Sequence, residues 1–281
     1  MNESYICPWN IEDTFLYSYR CRVGDEYTES PLVVPNAKQN SLSINTPILL
    51  FILAYGWNII SYYTYLYVRR CKWLTIPNTP IHQKTIADIS KNIVHFINAF
   101  VCVATMHPSI LYVHDNQDAF HRQVVNLGIL SSVAFYLYDT VRLFQRFQTA
   151  NIAYIVHHIT TVSWLYYAWI DYYRQLILYA VYLLEYSNFM LYVSYHILKA
   201  YPTHKLLQTV SECFQFVWYG YFRTIRLTIH LIAVRGVLFT EVFQSVPMFV
   251  MFGILYVMGL YWTYKLYCKC VRLLSVSSKP L

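Results

Sequence analysis

Seven stretches of this chain are each apolar over about the length that a helix needs to cross a membrane. An α-helix rises ~1.5 Å per residue, so roughly 20 apolar residues cross the hydrocarbon core of a bilayer. The stretches are Pro47–Val68, Asn92–Val113, Val124–Phe144, Ile152–Ile170, Leu176–Leu198, Leu206–Val234 and Ser245–Cys268. They predict an all-α fold, a polytopic membrane helix bundle with six or seven transmembrane helices.

The number of helices depends on the sixth stretch, which contains several ionisable residues. These are Glu212, Arg223, Arg226 and His230. Ionisable groups are costly in the hydrocarbon region of a bilayer. The sixth stretch is therefore either one tilted helix or two shorter helical pieces.

The composition also favours a membrane protein. Of the 281 residues, 57% are hydrophobic and only 12% are charged. Soluble domains carry roughly 25% charged residues, which cover the apolar core with groups that water solvates. A soluble protein with a large helical core is therefore the disfavoured alternative.

Basic residues are distributed unevenly over the segments that join the apolar stretches. Cytoplasmic loops of membrane proteins carry an excess of Lys and Arg. With the N-terminus outside, the cytoplasmic segments hold thirteen basic residues and the opposite side holds six. We therefore predict a non-cytoplasmic N-terminus and a cytoplasmic C-terminus. Because this orientation accounts for the net charge of +7, we predict no nucleic-acid partner.

The chain divides into three segments. Residues 1–44 form a short non-cytoplasmic segment with six acidic and three basic residues, residues 45–270 form the transmembrane domain, and residues 271–281 form a cytoplasmic tail. Cys7 and Cys21 lie together in the first segment, on the side of the membrane where disulfides form. The sequence is compatible with either a disulfide between these two cysteines or two free thiols.

The main candidate site lies where the third and fourth stretches form a helical hairpin. Asp139 lies on the order of 10 Å from the end of the third stretch, and His157 and His158 lie on the order of 8 Å into the fourth. The hairpin thus places an acid and two imidazoles at one level. A carboxylate that holds an imidazole in one tautomer makes it a better proton acceptor, so these three are the candidate catalytic residues.

The two histidines are adjacent, so their side chains point about 100° apart on a helix. We expect one to face a cavity and the other to pack against a neighbouring helix. Metal ligands on one helix usually lie three or four residues apart. Tyr154 and Thr161 occupy those positions relative to His157, so no metal site is predicted. Three isolated histidines are interpreted as packing residues: His95, His107 and His230.

A second group of polar residues lies deeper in the predicted bundle. Glu185 lies near the middle of the fifth stretch, and Asn188 lies three residues further on the same helix face. Arg223, at a similar depth in the sixth stretch, is the expected counter-ion of Glu185. Such a pair either contributes to a functional site or only fixes how the helices align.

Three consecutive stretches carry residues typical of a known family. The segments YLYDTVRLF, VHHITTVSWLYYA and YLLEYSNFML resemble the signature of the TLC domain family, which is named for homology among translocating-chain-associating proteins, ceramide synthases and a neuronal-lipofuscinosis protein. The resemblance covers about residues 85–270. It is closest at Asp139, at His157 and His158 with Thr160 and Thr161 behind them, and over Glu185–Asn188.

The resemblance implies a multi-span protein of the endoplasmic reticulum that acts in lipid metabolism, with membrane lipids, including sphingolipids, as partners. In the ceramide synthase branch, paired histidines and acids serve the transfer of a fatty acyl group from coenzyme A to a sphingoid-base amine. Carried over here, one of His157 and His158 would take the amine proton and Asp139 would orient it. No cofactor is implied, and acyl-CoA would be a co-substrate. The residues implied to contact the substrate are Thr161, Glu185, Asn188 and Arg223.

The fifth stretch departs from the ceramide synthase pattern. Ceramide synthases resemble one another in a His-Asp element followed shortly by a second Asp in the span after the double His, whereas LLEYSN supplies Glu185 and Asn188. This segment is more similar to the smaller TLC-domain proteins, which are linked to membrane lipid composition. We therefore expect a protein that binds or regulates lipids, with an acyl-CoA-dependent N-acyltransferase as the alternative. A seven-span receptor or channel is disfavoured, because the sequence has no repeated charged ring for ion selectivity.

Overall fold

The structure is a computed structural model that describes residues 20–23, 26–29, 45–71, 80–111, 119–145, 148–169, 174–201, 203–233 and 246–277. From residue 45 onward its regular structure is helical, which confirms the predicted all-α class for this part of the chain, while the six or seven transmembrane helices stay a prediction. The α-helices are α1 (Asn45–Arg70), α2 (Pro80–Leu111), α3 (Ala119–Gln145), α4 (Ile152–Trp169), α5 (Arg174–Ala200), α6 (Lys205–Gly220), α7 (Leu227–Ala233) and α8 (Val246–Ser277).

The N-terminal segment contains a short antiparallel hairpin that the sequence pattern did not predict. Its strands are β1 (Arg20–Val23) and β2 (Glu26–Glu29). Cys21 lies opposite Thr28 in the register of this hairpin. Cys7 lies outside the described residues, so the disulfide between Cys7 and Cys21 stays a prediction.

Four helices in the described part of the chain are long and apolar enough to cross a membrane. They are Thr46–Arg70 in α1, Gln83–His107 in α2, Arg122–Gln145 in α3 and Phe249–Ser275 in α8. They correspond to the first, second, third and seventh apolar stretches. Between α3 and α8, the helices α4 and α5 carry the paired histidines and Glu185, which lower their mean hydropathy, and α6 and α7 have only 16 and 7 residues. The four apolar helices are compatible with an integral membrane protein.

The sixth apolar stretch forms one continuous helical rod. α6 leads into a π-helical segment, Tyr221–Arg226, which leads into α7. The backbone stays right-handed at both junctions, with φ −61° and ψ −54° at Tyr221 and φ −64° and ψ −42° at Leu227. π-Helical turns are rare and occur frequently at functional sites. Arg223 and Arg226 both lie in this segment.

The helices pack as a bundle in which α3 and α5 are central. α2 contacts both α3 and α5, α3 also contacts α1 and α4, and α8 contacts α4 and α6. Trp57 attaches α1 to α3, because its indole Nε1 donates a hydrogen bond of 3.0 Å to the carbonyl oxygen of Ser131. The Trp57 ring also packs edge-on against Phe135, with 5.1 Å between ring centroids. A buried apolar core forms where these helices meet and includes Ile129, Val133, Phe135, Leu165, Ile177, Leu178 and Leu183.

The outer surface of the bundle carries many large apolar side chains. Phe51 is 75% exposed and Leu206 is 77% exposed. Monomeric soluble proteins rarely expose extended apolar surface. In a bilayer these side chains contact lipid, so the outer surface agrees with the apolar helices in indicating a membrane environment.

Gly128 permits α2 and α3 to approach closely. A Cβ atom at this position would lie 2.0 Å from Oγ1 and 2.6 Å from Cβ of Thr105. The Thr105 hydroxyl also donates a hydrogen bond of 2.7 Å to the carbonyl oxygen of Val101, so this side chain is held in place. We expect Gly128→Ala to lower the free energy of unfolding by about 2 kcal/mol, because the two helices must move apart. The measurement is unfolding of the purified protein by SDS in mixed micelles.

Gly56→Ala is the matched control for this prediction. A Cβ atom at Gly56 would meet nothing within 4 Å. Helix propensity alone then favours Ala by up to about 1 kcal/mol. Equal changes in unfolding free energy for the two variants would contradict the close approach at Gly128.

Candidate functional site

The α3–α4 hairpin brings Asp139 to one of the paired histidines. A 3-10 turn, Thr149–Asn151, precedes α4, and α3 and α4 contact each other along the hairpin. The distance from Asp139 Oδ2 to His158 Nε2 is 3.8 Å. The predicted meeting of the acid with a histidine at one level is therefore confirmed for Asp139 and His158.

Asp139 also contacts two residues of α2. Its Oδ2 lies 3.3 Å from His95 Nε2 and 3.8 Å from Lys91 Nζ. The interpretation of His95 as an isolated packing histidine is wrong, since it is closer to the carboxylate than His158 is. Lys91 and His95 are four residues apart and share one helix face. Their spacing predicts from sequence that both side chains lie on one face of α2. It does not predict that this face meets Asp139.

The two adjacent histidines have different neighbours, as their angular separation predicts. His158 Nδ1 lies 3.2 Å from Thr140 Oγ1. The His157 ring lies edge-on to Trp262, with 5.6 Å between centroids, and 6.3 Å from the ring of Tyr136. His158 is therefore part of the contact with Asp139, while His157 faces α8.

The hydrogen bonds of Thr140 favour one tautomer of neutral His158. The Thr140 hydroxyl donates to the carbonyl oxygen of Tyr136 at 2.6 Å, so its oxygen accepts the proton of His158 Nδ1. Nε2 of the neutral imidazole then carries a lone pair and faces the Asp139 carboxylate. The two acceptor atoms are 3.8 Å apart, so a donor that serves both has to approach them from the side.

Glu185 and Arg223 are linked through Asn188. The Tyr136 hydroxyl donates to Glu185 Oε1. The side-chain amide of Asn188 donates to Glu185 Oε2 at 3.4 Å, and its oxygen accepts a hydrogen bond of 3.1 Å from Arg223 Nη1. Within the described residues no direct ion pair joins Glu185 to Arg223, so the predicted counter-ion acts through an intervening amide. Both charged side chains are buried, at 5% and 3% exposure.

Arg223 lies between two aromatic rings. Its guanidinium carbon is 5.1 Å from the ring centroid of Tyr219 and 5.4 Å from that of Trp262. A Cβ atom on Gly259 would lie 3.3 Å from Arg223 Cγ and 3.4 Å from Nε. The glycine therefore gives the Arg223 side chain room along α8.

We call the residues of this region the polar cluster: His95, Tyr136, Asp139, His157, His158, Glu185, Asn188 and Arg223. Two buried atoms of the cluster, His157 Nδ1 and Arg223 Nε, have no hydrogen-bond partner among the described residues, whereas His95 Nε2 and Asp139 Oδ2 lie 3.3 Å apart and pair with each other. Buried polar atoms normally have partners, because leaving one unpaired costs about 1–3 kcal/mol. The cluster therefore has hydrogen-bonding capacity that the chain itself leaves unused.

The threonines that follow the paired histidines hydrogen-bond within α4. Thr161 Oγ1 donates to the carbonyl oxygen of His157 at 2.9 Å, and Thr160 Oγ1 donates to that of Val156 at 2.8 Å. Thr161, which the family resemblance implies as a substrate contact, is buried and retains only its acceptor lone pairs. In the part of the chain that the structure describes, no three His, Cys, Asp or Glu side chains are grouped to hold a metal ion.

Comparison of the chain with protein-family models, with curated proteins and with solved structures found no match. The resemblance to the TLC domain family therefore stays a prediction that rests on the residues quoted above. The chemistry of the site has to be argued from the polar cluster itself.

A separate ion pair with one buried and one exposed partner joins α6 to α8. Lys269 Nζ lies 2.6 Å from Glu212 Oε1. The Glu212 side chain is 2% exposed, whereas that of Lys269 is 47% exposed. This pair lies outside the polar cluster, and its basic member lies at the end of the last apolar stretch.

Gly259→Ala tests the packing of Arg223 against α8. Because the new Cβ would press on the Arg223 side chain, we expect this variant to lose the roughly 1 kcal/mol that Ala gains over Gly in a helix. In Gly253→Ala, on the same helix, a Cβ would meet nothing within 4 Å, so this control should keep that gain. Thermal unfolding in detergent measures the difference. A Gly259→Ala protein as stable as the control would contradict the contact.

Proposed function

We propose that this chain is a multi-pass membrane protein that binds lipid within its helix bundle and acts in lipid metabolism or in the control of membrane composition. The observation that supports this most directly is the buried polar cluster inside the bundle, in which atoms of His157 and Arg223 have no hydrogen-bond partner among the described residues. Such atoms lie inside a bundle whose outer surface is apolar, so the molecules that reach them most readily come from the membrane. The TLC resemblance supports the same class and the endoplasmic reticulum.

The proposal includes six or seven transmembrane helices with a non-cytoplasmic N-terminus and a cytoplasmic C-terminus. In this topology Asp139 and the paired histidines lie near the cytoplasmic ends of α3 and α4. The contact between Lys91 and Asp139 is consistent with this placement, because the Lys91 side chain is 43% exposed and can reach an interface. A lipid head group would then bind just below the cytoplasmic surface.

The acceptor atoms of the cluster favour a head group that donates hydrogen bonds. Asp139 Oδ2 accepts from any donor, and His158 Nε2 carries a lone pair in the tautomer that Thr140 favours. An amine beside these two atoms can donate one hydrogen bond to each of them, whereas a hydroxyl, with one proton, can donate to only one. A long-chain amino alcohol, such as a sphingoid base, has this chemistry.

The binding function is tested by measuring how much of an added lipid the purified protein retains. We expect wild-type protein in phosphatidylcholine nanodiscs to retain a labelled sphingoid base saturably, and Asp139→Asn to lower its affinity by about tenfold or more, equivalent to losing one charge-assisted hydrogen bond. His204→Ala is the matched control, because His204 is exposed and lies outside the cluster. Equal retention by wild type and Asp139→Asn would overturn the assignment of the head-group site.

A second candidate function is transfer of an acyl group, and the contact between Asp139 and His158 favours it. The amine nitrogen of a sphingoid base would attack the thioester carbonyl of acyl-CoA. The N–C bond forms, the C–S bond breaks, the amine proton passes to the imidazole, and coenzyme A leaves as the thiol after protonation. A carboxylate next to the imidazole stabilises the imidazolium that forms.

Product formation distinguishes the two candidates. The purified protein is supplied with labelled sphingoid base and acyl-CoA, and the amide product is measured for wild type, His157→Ala and His158→Ala. Product that is lost in either variant establishes an acyltransferase and locates its base. Saturable binding without product from folded wild type favours the binding function.

A further inference from the structure

The middle of α1 carries an amide side chain on the outer surface of the bundle. Asn58 is exposed and lies twelve residues from each end of the apolar span Thr46–Arg70. At ~1.5 Å per residue, the amide is ~18 Å from either end of the span, which places it near the midplane of a bilayer. Its side chain makes no hydrogen bond to the residues that the structure describes.

Two hydrogen bonds to α3 fix the rotation of α1 about its own axis. The Trp57 indole donates to the carbonyl oxygen of Ser131 at 3.0 Å, and the Ser61 hydroxyl accepts a hydrogen bond of 2.9 Å from Arg142 Nη1. Trp57 and Ser61 are four residues apart and share one helix face. Asn58 follows Trp57, so it points about 100° away from that face. The amide therefore cannot turn toward the bundle unless α1 gives up both hydrogen bonds.

The exposed amides of the other apolar spans lie at the ends of those spans. Gln83 is the first residue of its span, and Gln123 and Gln145 are the second and the last residue of theirs. An amide at the end of a span can reach water and lipid head groups. An amide at the midplane meets hydrocarbon, where an unpaired polar group is strongly unfavourable. Asn58 thus requires a hydrogen-bonding partner that neither lipid chains nor the described helices supply.

Asn58 lies in a row of exposed residues that are alternately three and four positions apart. We call this row the Asn58 face: Ile48, Phe51, Tyr55, Asn58 and Tyr62. This spacing is that of the contact positions between two helices of a coiled coil, and a polar residue at one such position fixes the register of the pair. Apolar residues on the face would be at home in lipid. The amide in its middle is what indicates a second helix.

We propose that the Asn58 face is the surface through which two copies of this chain associate, with α1 packed against α1. Two copies of a membrane protein insert in the same orientation, so a two-fold axis along the membrane normal places Asn58 level with the Asn58 of the second copy. An amide has two donor hydrogens and an acceptor oxygen, so each Nδ2 can donate to the Oδ1 of the other. The second copy therefore supplies the missing partner at the required depth. This surface is separate from the polar cluster and goes beyond the proposed function.

The remainder of α1 is compatible with this contact. Within the bundle α1 packs against α2 and α3, so its opposite side is open to a second copy. Arg69 and Arg70 lie at the end of α1, eleven and twelve residues from Asn58. Paired membrane helices cross at about 20° and move apart with distance from the crossing point. A crossing at Asn58 thus separates the arginines of the two copies and leaves them free to reach the head groups.

The test is the association of full-length protein in phosphatidylcholine vesicles. Copies with a donor or an acceptor fluorophore at the C-terminus are mixed, and energy transfer is measured as the protein-to-lipid ratio falls. We expect wild type to form a dimer and Asn58→Leu to raise its dissociation constant about tenfold or more, because two hydrogen bonds between helices are lost. Asn58→Gln keeps an amide and should retain most of the affinity. Wild-type energy transfer no greater than that of dispersed monomers, or equal dissociation constants for wild type and Asn58→Leu, would overturn the proposal.

Tyr67→Leu is the matched control for loss of a polar group from α1. Tyr67 is 68% exposed and lies nine residues from Asn58, about 180° away around the helix. This variant should leave the dissociation constant unchanged. A loss of affinity as large as that of Asn58→Leu would overturn the assignment of the contact to the Asn58 face.

Photo-crosslinking locates the contact without changing Asn58, and it decides the proposal if Asn58→Leu does not fold. A benzophenone amino acid replaces either Phe51, on the Asn58 face, or Ile52, which points about 100° away at nearly the same depth. Both positions are exposed, at 75% and 58%, so neither replacement disturbs the core. We expect irradiation to give a covalent dimer from position 51 and little from position 52. Equal yields from both positions, or a dimer from position 52 alone, would overturn the proposal.

Discussion

Lys269→Met is expected to lower the free energy of unfolding by about 3 kcal/mol, the lower end of the range for removing one partner of a buried ion pair. The substitution leaves the Glu212 carboxylate, which is 2% exposed, without the ammonium that lies 2.6 Å from it. Glu212→Gln should cost less, because the Lys269 side chain is 47% exposed and its ammonium can turn toward water. The measurement is unfolding by SDS in mixed micelles.

Two further variants control this prediction. Lys265→Met removes an exposed lysine on the same helix, whose ammonium lies 4.6 Å from the ring centroid of Tyr261, and should cost much less than Lys269→Met. The double variant Glu212→Gln with Lys269→Met should recover most of the loss, since no charge is left without its partner. A Lys269→Met protein as stable as Lys265→Met would show that the ion pair contributes little.

Arg223→Leu is expected to lower the free energy of unfolding by about 2 kcal/mol, because it leaves the Asn188 side-chain oxygen without its charged donor. Arg223 is 3% exposed and donates to Asn188, which in turn donates to the buried Glu185. After its removal, every hydrogen bond described above for the Glu185 carboxylate comes from an uncharged group. It also removes the cation that lies between the rings of Tyr219 and Trp262.

A double-mutant cycle shows whether this loss reflects the link to Glu185. Glu185→Gln combined with Arg223→Leu should cost at least 1 kcal/mol less than the sum of the two single substitutions, as coupled residues in one network do. Asn188→Leu should abolish the coupling, because the described contact between the two charged residues passes through this amide. Additive losses in the cycle would mean that Arg223 and Glu185 stabilise the bundle independently.

The bounds of an apolar stretch predicted the bounds of a helix well where the whole helix is apolar. The stretch Ile152–Ile170 and the helix Ile152–Trp169 differ by one residue in the described chain. α2 begins at Pro80, twelve residues before the apolar stretch that starts at Asn92. Proline suits the first position of a helix. The helical turns between this proline and the apolar stretch are polar, as expected of turns that lie outside the hydrocarbon. An apolar window thus predicts the part of a helix that needs lipid, not the ends of the helix.

The candidate site was predictable only where the chain connects its parts directly. A short hairpin joins Asp139 to His158, so their depths could be compared from residue numbers alone. His95 comes from α2, and which face of α2 meets Asp139 depends on tertiary packing. The role of Asn188 between Glu185 and Arg223 depends on distances of a few ångströms, which residue spacing cannot supply. The β-hairpin of β1 and β2, which precedes residue 45, lies outside the apolar stretches, so their pattern could not predict it.

The π-helical segment Tyr221–Arg226 gives the sixth apolar stretch one residue more than an α-helix of the same height would hold. The faces before and after such a segment are out of phase by about 100°, the angle that one residue contributes to an α-helix. Loss of a single residue there would allow the whole rod to wind as an ordinary α-helix and would rotate α7, with His230, relative to α6. In this part of the chain, insertions and deletions would therefore change which side chains face the bundle in a way that no substitution can.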